Sequence, residues 1–178
     1  MSTTLALSHM VLTPALVYVV VSDLLYRRIA NWLLAGLLTL WLLQTGLQLL
    51  QGQMDWHALT IGASASVAVL VAGYLLFVMR WMGAGDAKLM AALCLWLGEQ
   101  SLLFLMVTAL AGGLLALALP VLSLFERGLA LALMQLNTWL PRPAVVPLPH
   151  SLREHRIPGI PYGIAIATGA MLVLWGSF

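Results

Sequence analysis

Residues 58–79 read Ala-Leu-Thr-Ile-Gly-Ala-Ser-Ala-Ser-Val-Ala-Val-Leu-Val-Ala-Gly-Tyr-Leu-Leu-Phe-Val-Met, 22 consecutive positions without a charged side chain. A helix that crosses the hydrocarbon core of a bilayer needs about 20 mainly apolar residues, because that core is about 30 Å thick and each residue rises about 1.5 Å. Residues 58–79 meet this requirement. Working outward, 5–21 (with Pro14 inside), 32–50, 102–125 and 160–175 are runs of the same kind. The apolar run 89–97 is short, and becomes a span if its helix starts near Asp86 and continues towards Gln100. The whole chain agrees: 62% hydrophobic, 8% charged and a mean hydropathy of +1.01 over 178 residues. Soluble domains carry about 25% charged residues. Six acids and eight basic residues cannot cover a water-soluble globule of this size. A soluble enzyme, a disordered chain and a nucleic-acid binder with a basic face are excluded. The expected fold is all-α: a polytopic integral membrane protein of six transmembrane helices, forming one membrane-embedded domain over residues 1–178.

The cations orient it. Arg27 and Arg28 follow the first span, Arg80 and Lys88 separate the third from the fourth, and Arg127, Arg142, Arg153 and Arg156 lie between the fifth and sixth. With six spans all eight basic residues fall on one side. The positive-inside rule makes that side cytoplasmic and both termini extracytoplasmic. Residues 129–140 are apolar but too few to cross. They read as an interfacial helix within a long cytoplasmic loop over 126–159, whose remainder is rich in proline. The N-terminus lacks the positive region and small-residue cleavage site of a secretory signal, so the first span is expected to stay attached.

Ionisable groups near hydrocarbon are costly, and those kept there are functional candidates. Asp55, Glu99, Glu126 and Glu154 fall in turns or in the long loop, where solvation suffices. Asp23 leaves the first span and Asp86 enters the fourth, on the same face, so the two carboxylates share one depth. Around the second aspartate the chain reads Met82-Gly83-Ala84-Gly85-Asp86-Ala87-Lys88. The glycines permit unusual backbone angles and leave room for another chain, and Asp86 suits a helix N-cap. Two carboxylates within hydrogen-bond reach cannot both ionise cheaply and titrate as a pair. One can take a proton from water that attacks a peptide carbonyl, while the other protonates the leaving amine. Such chemistry needs no metal or cofactor. Lone Cys94 and four scattered histidines offer no metal-ligand spacing.

Gly83-Ala84-Gly85-Asp86-Ala87-Lys88 resembles the GxGDxK motif of type IV prepilin peptidases, members of the GxGD aspartyl proteases. Asp23 with Arg27-Arg28-Ile29-Ala30-Asn31 is similar to that family's first aspartate and the Arg-Ile-Pro-Asn-like stretch after it, with Ala30 where proline is usual. Ile160-Pro161-Tyr162-Gly163-Ile164-Ala165 resembles its Pro-Tyr/Phe-Gly-x-Ala segment. The resemblance implies an endopeptidase that removes the basic leader of prepilins, whose partners are prepilin-like substrates and the bilayer. It makes Asp23 and Asp86 the catalytic pair, with either one protonated. Gly83, Gly85, Lys88, Arg27, Asn31, Pro161, Tyr162 and Gly163 become substrate-binding or site-shaping candidates. Larger members carry a cytoplasmic insertion with paired CxxC zinc ligands and methylate the new N-terminus. Here only residues 22–30 separate the first two spans, so the chain resembles the short peptidases of Flp/Tad pilus systems, expected to cleave without methylation. Two other readings stay open: a presenilin-like protease with a different substrate, and a non-proteolytic subunit or small transporter using Asp23 and Asp86 as a proton or ion site.

Overall fold

The computed structural model describes residues 2–139 and 162–176. They form six α-helices and, among the described residues, no strand: α1 Ser2–Tyr26, α2 Asn31–Leu50, α3 Trp56–Val78, α4 Ala84–Leu97, α5 Ser101–Trp139 and α6 Tyr162–Trp175. A 3₁₀ turn, Gly98–Gln100, joins α4 to α5. Four helical stretches are long and apolar enough to cross a bilayer: His9–Tyr26, Asn31–Leu50, Trp56–Val78 and Ala84–Ala118. The last contains a reversal. Ser101 Oγ donates to Cys94 O over 3.0 Å, a bond that seven residues of continuous helix, rising about 10 Å, would forbid. Gly98, with φ +53, supplies the left-handed backbone for this turn.

Two boundaries differ from expectation. Asp23 does not leave α1 but lies inside its last turn, since the helix runs on to Tyr26 and the link to α2 is only Arg27–Ala30. An apolar run marks the part of a helix that meets hydrocarbon, whereas its hydrogen bonds continue into the polar zone. Likewise 129–139, expected within an interfacial helix over 129–140, continues directly from the helix before it. It is the last part of α5, a single rod of 39 residues that runs through Glu126 and Arg127. Leu140, the rest of the expected loop and Pro161 lie outside the described residues.

Helix contacts give each element its direction. His9 Nε2 donates to Leu174 O over 2.7 Å, and its ring stands edge-on to Trp175, 5.3 Å away. Those contacts join the start of α1 to the end of α6. Gly62 of α3 lies against the Cys94 carbonyl near the end of α4, and Gly73 against Ala87 near its start. Neighbouring helices therefore alternate in direction, and the end of α1, the start of α4 and the start of α6 gather at one end of the bundle.

α4 is the centre. Its Leu89, Leu93, Cys94 and Leu97 share one core cluster with Leu12, Leu16 and Val19 of α1, Phe104 of α5, and Ile166, Ala170 and Val173 of α6, and its Ala87, Ala91 and Ala92 are buried as well. In lipid, association rests on close packing and hydrogen bonds rather than on removing surface from water, and this bundle shows both. Small residues let α3 approach α4. α2 buries only Leu34 and Leu37, and two indole bonds tie it to α4: Trp41 Nε1 to Leu95 O at 2.9 Å and Trp96 Nε1 to Leu37 O at 3.2 Å. Leu42, Leu43, Leu47 and Leu50 of α2 and Val67, Val71, Tyr74 and Leu75 of α3 stay exposed, as lipid-facing side chains are.

Candidate active site: two aspartates at one end of the bundle

Asp23 is 5% exposed. It enters from the last turn of α1, whose end is set by Arg27: that residue adopts a left-handed φ of +51 while its N–H bonds Asp23 O at 3.1 Å. Asp86, partly buried, enters from the first turn of α4. The Asp23 carboxylate lies close enough for its charge to act on Asp86. Residues 63 positions apart in sequence are therefore brought to the same end of the bundle, because α1 ends, and α4 begins, there.

The start of α4 departs from the expected capping. Gly83, extended at φ −73 and ψ 141, is the N-cap and has no side chain to offer. Asp86 is the third helical residue and its carboxylate accepts from the Gly83 N–H. This is the return half of a capping box, in which an acid in the first turn satisfies the cap's own donor. The glycines follow from this geometry. A Cβ on Gly83 would stand 2.9 Å from Asp86 Oδ2, and one on Gly85 would stand 3.2 Å from Ile29 Cβ. The Cβ positions of these two glycines thus face Asp86 itself and the Arg27–Ala30 link, while Gly83 stays exposed.

Gly163 has the tightest relation to an aspartate. It is buried in the first turn of α6, and a Cβ there would stand 2.8 Å from both Asp23 Cγ and Oδ2. The Tyr162 ring turns towards Gly112 of α5 instead: a Cβ on Gly112 would lie 3.9 Å from Tyr162 Cε1. Lys88 and Asn31 are exposed, and Arg28 points its side chain outward while its carbonyl is engaged by Ser22. The site candidates thus separate into those touching the aspartates (Gly83, Gly163), one packed beside them (Gly85), Arg27 as the helix stop, and Lys88, Asn31 and Tyr162 around the edge.

Ser22 escaped the sequence reading. It is buried beside Asp23 and its Oγ donates to Arg28 O over 2.7 Å. A hydroxyl at the end of an apolar helix is the available signal, because Ser side chains there bond nearby backbone. The other acids and histidines lie elsewhere. Asp55 caps α3 through the His57 and Ala58 N–H groups, each at 3.1 Å. His57 and Glu99 pair at 2.6 Å on the exposed opposite end. Among the described residues no three His, Cys, Asp or Glu side chains come together to hold a metal ion.

An all-helical, strongly apolar bundle with four helical stretches able to cross a bilayer fits an integral membrane protein, and two aspartates lie at one end of it. Residues 10–117 match the model of the type IV leader peptidase family, and the chain belongs to that family of peptidases. The matched span contains Asp23 and Asp86, while Tyr162 and Gly163 lie beyond it. No curated protein and no solved structure matches the chain.

Proposed function

We propose that this protein is a GxGD-type aspartyl endopeptidase of the bacterial cytoplasmic membrane, acting on Flp-like prepilins. It removes their basic leader at the cytoplasmic face and leaves the new N-terminus unmethylated. The observation that carries this reading is the placement of Asp23 and Asp86, from two different helices, at the same end of the bundle, where the charge of Asp23 acts on Asp86. One carboxylate takes a proton from water, whose oxygen bonds the scissile carbonyl carbon. The other, protonated, gives its proton to the amine nitrogen as the C–N bond breaks. Arg27, Arg28, Arg80 and Lys88 all sit at the aspartate end of their helices, which supports a cytoplasmic orientation for that end. It also supports six crossings with both termini outside. The absence of methylation rests on the four-residue link Arg27–Ala30, which leaves no room for an insertion between α1 and α2.

The test is co-expression with a tagged Flp-type prepilin, scored by the gel shift of precursor to mature form. Wild type processes the precursor, while Asp23→Asn and Asp86→Asn insert normally and leave it uncut. Processing by either variant overturns the two-aspartate assignment. An uncut precursor with wild type overturns the substrate class.

A further inference from the structure

The two aspartates come from different helices, so something must set their separation. A chain of contacts runs between them through the Arg27–Ala30 link. It starts at Ser22, covalently next to Asp23, whose buried Oγ holds Arg28 O at 2.7 Å. Arg28 is bonded to Ile29, which packs against the core and meets the backbone of Gly85. Gly85 is covalently next to Asp86. The link has little freedom of its own. Arg27 is fixed in a left-handed conformation, and Ala30 is extended as the N-cap of α2, its carbonyl accepting from Leu33 and Leu34 at 3.1 and 3.4 Å. On the Gly85 side the fit is tight, since even one added carbon would press on Ile29 at 3.2 Å. α2 is held to the bundle from its first turn onward: Trp32 meets Tyr18 of α1 at 5.4 Å, Leu33 packs against the core, Leu34 and Leu37 are buried, and Trp41 bonds Leu95 O further along.

We infer that Ser22, Ile29 and Gly85 form a spacer that sets the distance between the Asp23 and Asp86 carboxylates, with Ser22 and Ile29 as positioning residues. The inference rests on the proposed catalytic pairing, but its geometry can be read without any substrate. Losing the Ser22 hydroxyl frees Arg28 O and lets Ile29 move off Gly85, so the two aspartates separate although neither is altered.

The experiment has a geometric and a kinetic arm. In the geometric arm, Asp23→Cys and Asp86→Cys are combined and bridged with bifunctional thiosulfonates of graded length; native Cys94 is fully buried and is checked in the single-cysteine controls. Adding Ser22→Ala is expected to lower the yield of the shortest bridging reagent by about threefold or more, and Ser22→Thr, which keeps the hydroxyl, to restore it. Ile29→Val, a milder change, gives a smaller loss in the same direction and replaces Ser22→Ala should that variant fail to fold. An unchanged shortest bridge in both Ser22→Ala and Ile29→Val overturns the spacer, as does a parent pair that no reagent bridges. In the kinetic arm, a detergent-solubilised prepilin peptide is cleaved by the protein with both aspartates intact. Ser22→Ala should lower kcat about tenfold with KM nearly unchanged, as for a misplaced reacting group, and Ser22→Thr should recover it. If wild type does not cut the peptide, the proposed substrate fails, and the bridging yields still decide the spacer.

Discussion

Replacing Gly163 with alanine should damage turnover without loosening the fold. The added Cβ would stand 2.8 Å from Asp23 Cγ and Oδ2 and 3.0 Å from Asp23 Cβ, where ordinary contact begins near 3.4 Å. Relief takes a shift of about 0.6 Å, the difference between those two distances. The carboxylate is freer to move than the start of a packed helix. A misplacement of about 1 Å costs on the order of a hundredfold in rate, so this one should cost roughly tenfold, or about 1.4 kcal/mol in the barrier. Two glycines elsewhere provide controls. A Cβ on Gly169, further along α6, would overlap Thr108 Oγ1 and press on its backbone at 3.0 Å. Gly169→Ala should therefore lower the thermal midpoint, with activity falling in proportion to folded protein. Gly112→Ala, meeting Ala165 Cβ at an ordinary 3.8 Å, should do neither. The assay is prepilin cleavage per folded molecule, with the folded fraction taken from detergent size exclusion and a thermal melt. Wild-type kcat in Gly163→Ala at wild-type stability would refute the reasoning.

Other changes have equally definite outcomes. Ala30 has φ −72, which a proline ring adopts without strain. Ala30→Pro should keep cleavage and gain about 0.4–1 kcal/mol through the unfolded chain, read as a higher thermal midpoint. Gly62→Ala would bring a Cβ to 2.9 Å from Cys94 O and 3.1 Å from Gly98 Cα, both backbone atoms that cannot swing aside. Overpacking of this sort costs about 1–3 kcal/mol, measured as a lower melting midpoint. The His57–Glu99 pair is 75% and 55% exposed, so Glu99→Gln should change stability by less than about 1 kcal/mol and leave cleavage intact. Cys94 is fully buried and should resist maleimide in the folded protein but react once denatured, as a mass shift would show.

The membrane class was legible because hydrocarbon makes one demand, an apolar run of sufficient length, and a sequence displays it openly. Asp23 and Asp86 stood out for the same reason: where charge is expensive, each acid has to be accounted for. Helix ends were harder to read. Tyr26 and Trp139 lie beyond the apolar runs, and charged Glu126 and Arg127 leave a helix able to continue. What each glycine faces was not legible at all. The Cβ direction of Gly83 faces Asp86 Oδ2 within its own helix start, and that of Gly85 faces Ile29, a neighbour that appears only when α4 is set beside the Arg27–Ala30 link. Ser22 went unnoticed because its partner is a backbone carbonyl, which has no signature in the sequence.

The lengths of the helices bear on how water arrives. α4 has 14 residues and rises only about 21 Å, roughly 9 Å less than the hydrocarbon is thick. At its far end α4 is followed directly by Glu99, an exposed ion-pair partner that belongs in water. The shortfall therefore falls at the other end, where Asp86 lies in the first turn of α4. On the proposed membrane reading, the bilayer thins there to meet α4 or leaves a hollow filled from the aqueous phase. In both cases the aqueous phase reaches the partly buried Asp86, and the hydrolysis proposed above would need no channel through lipid.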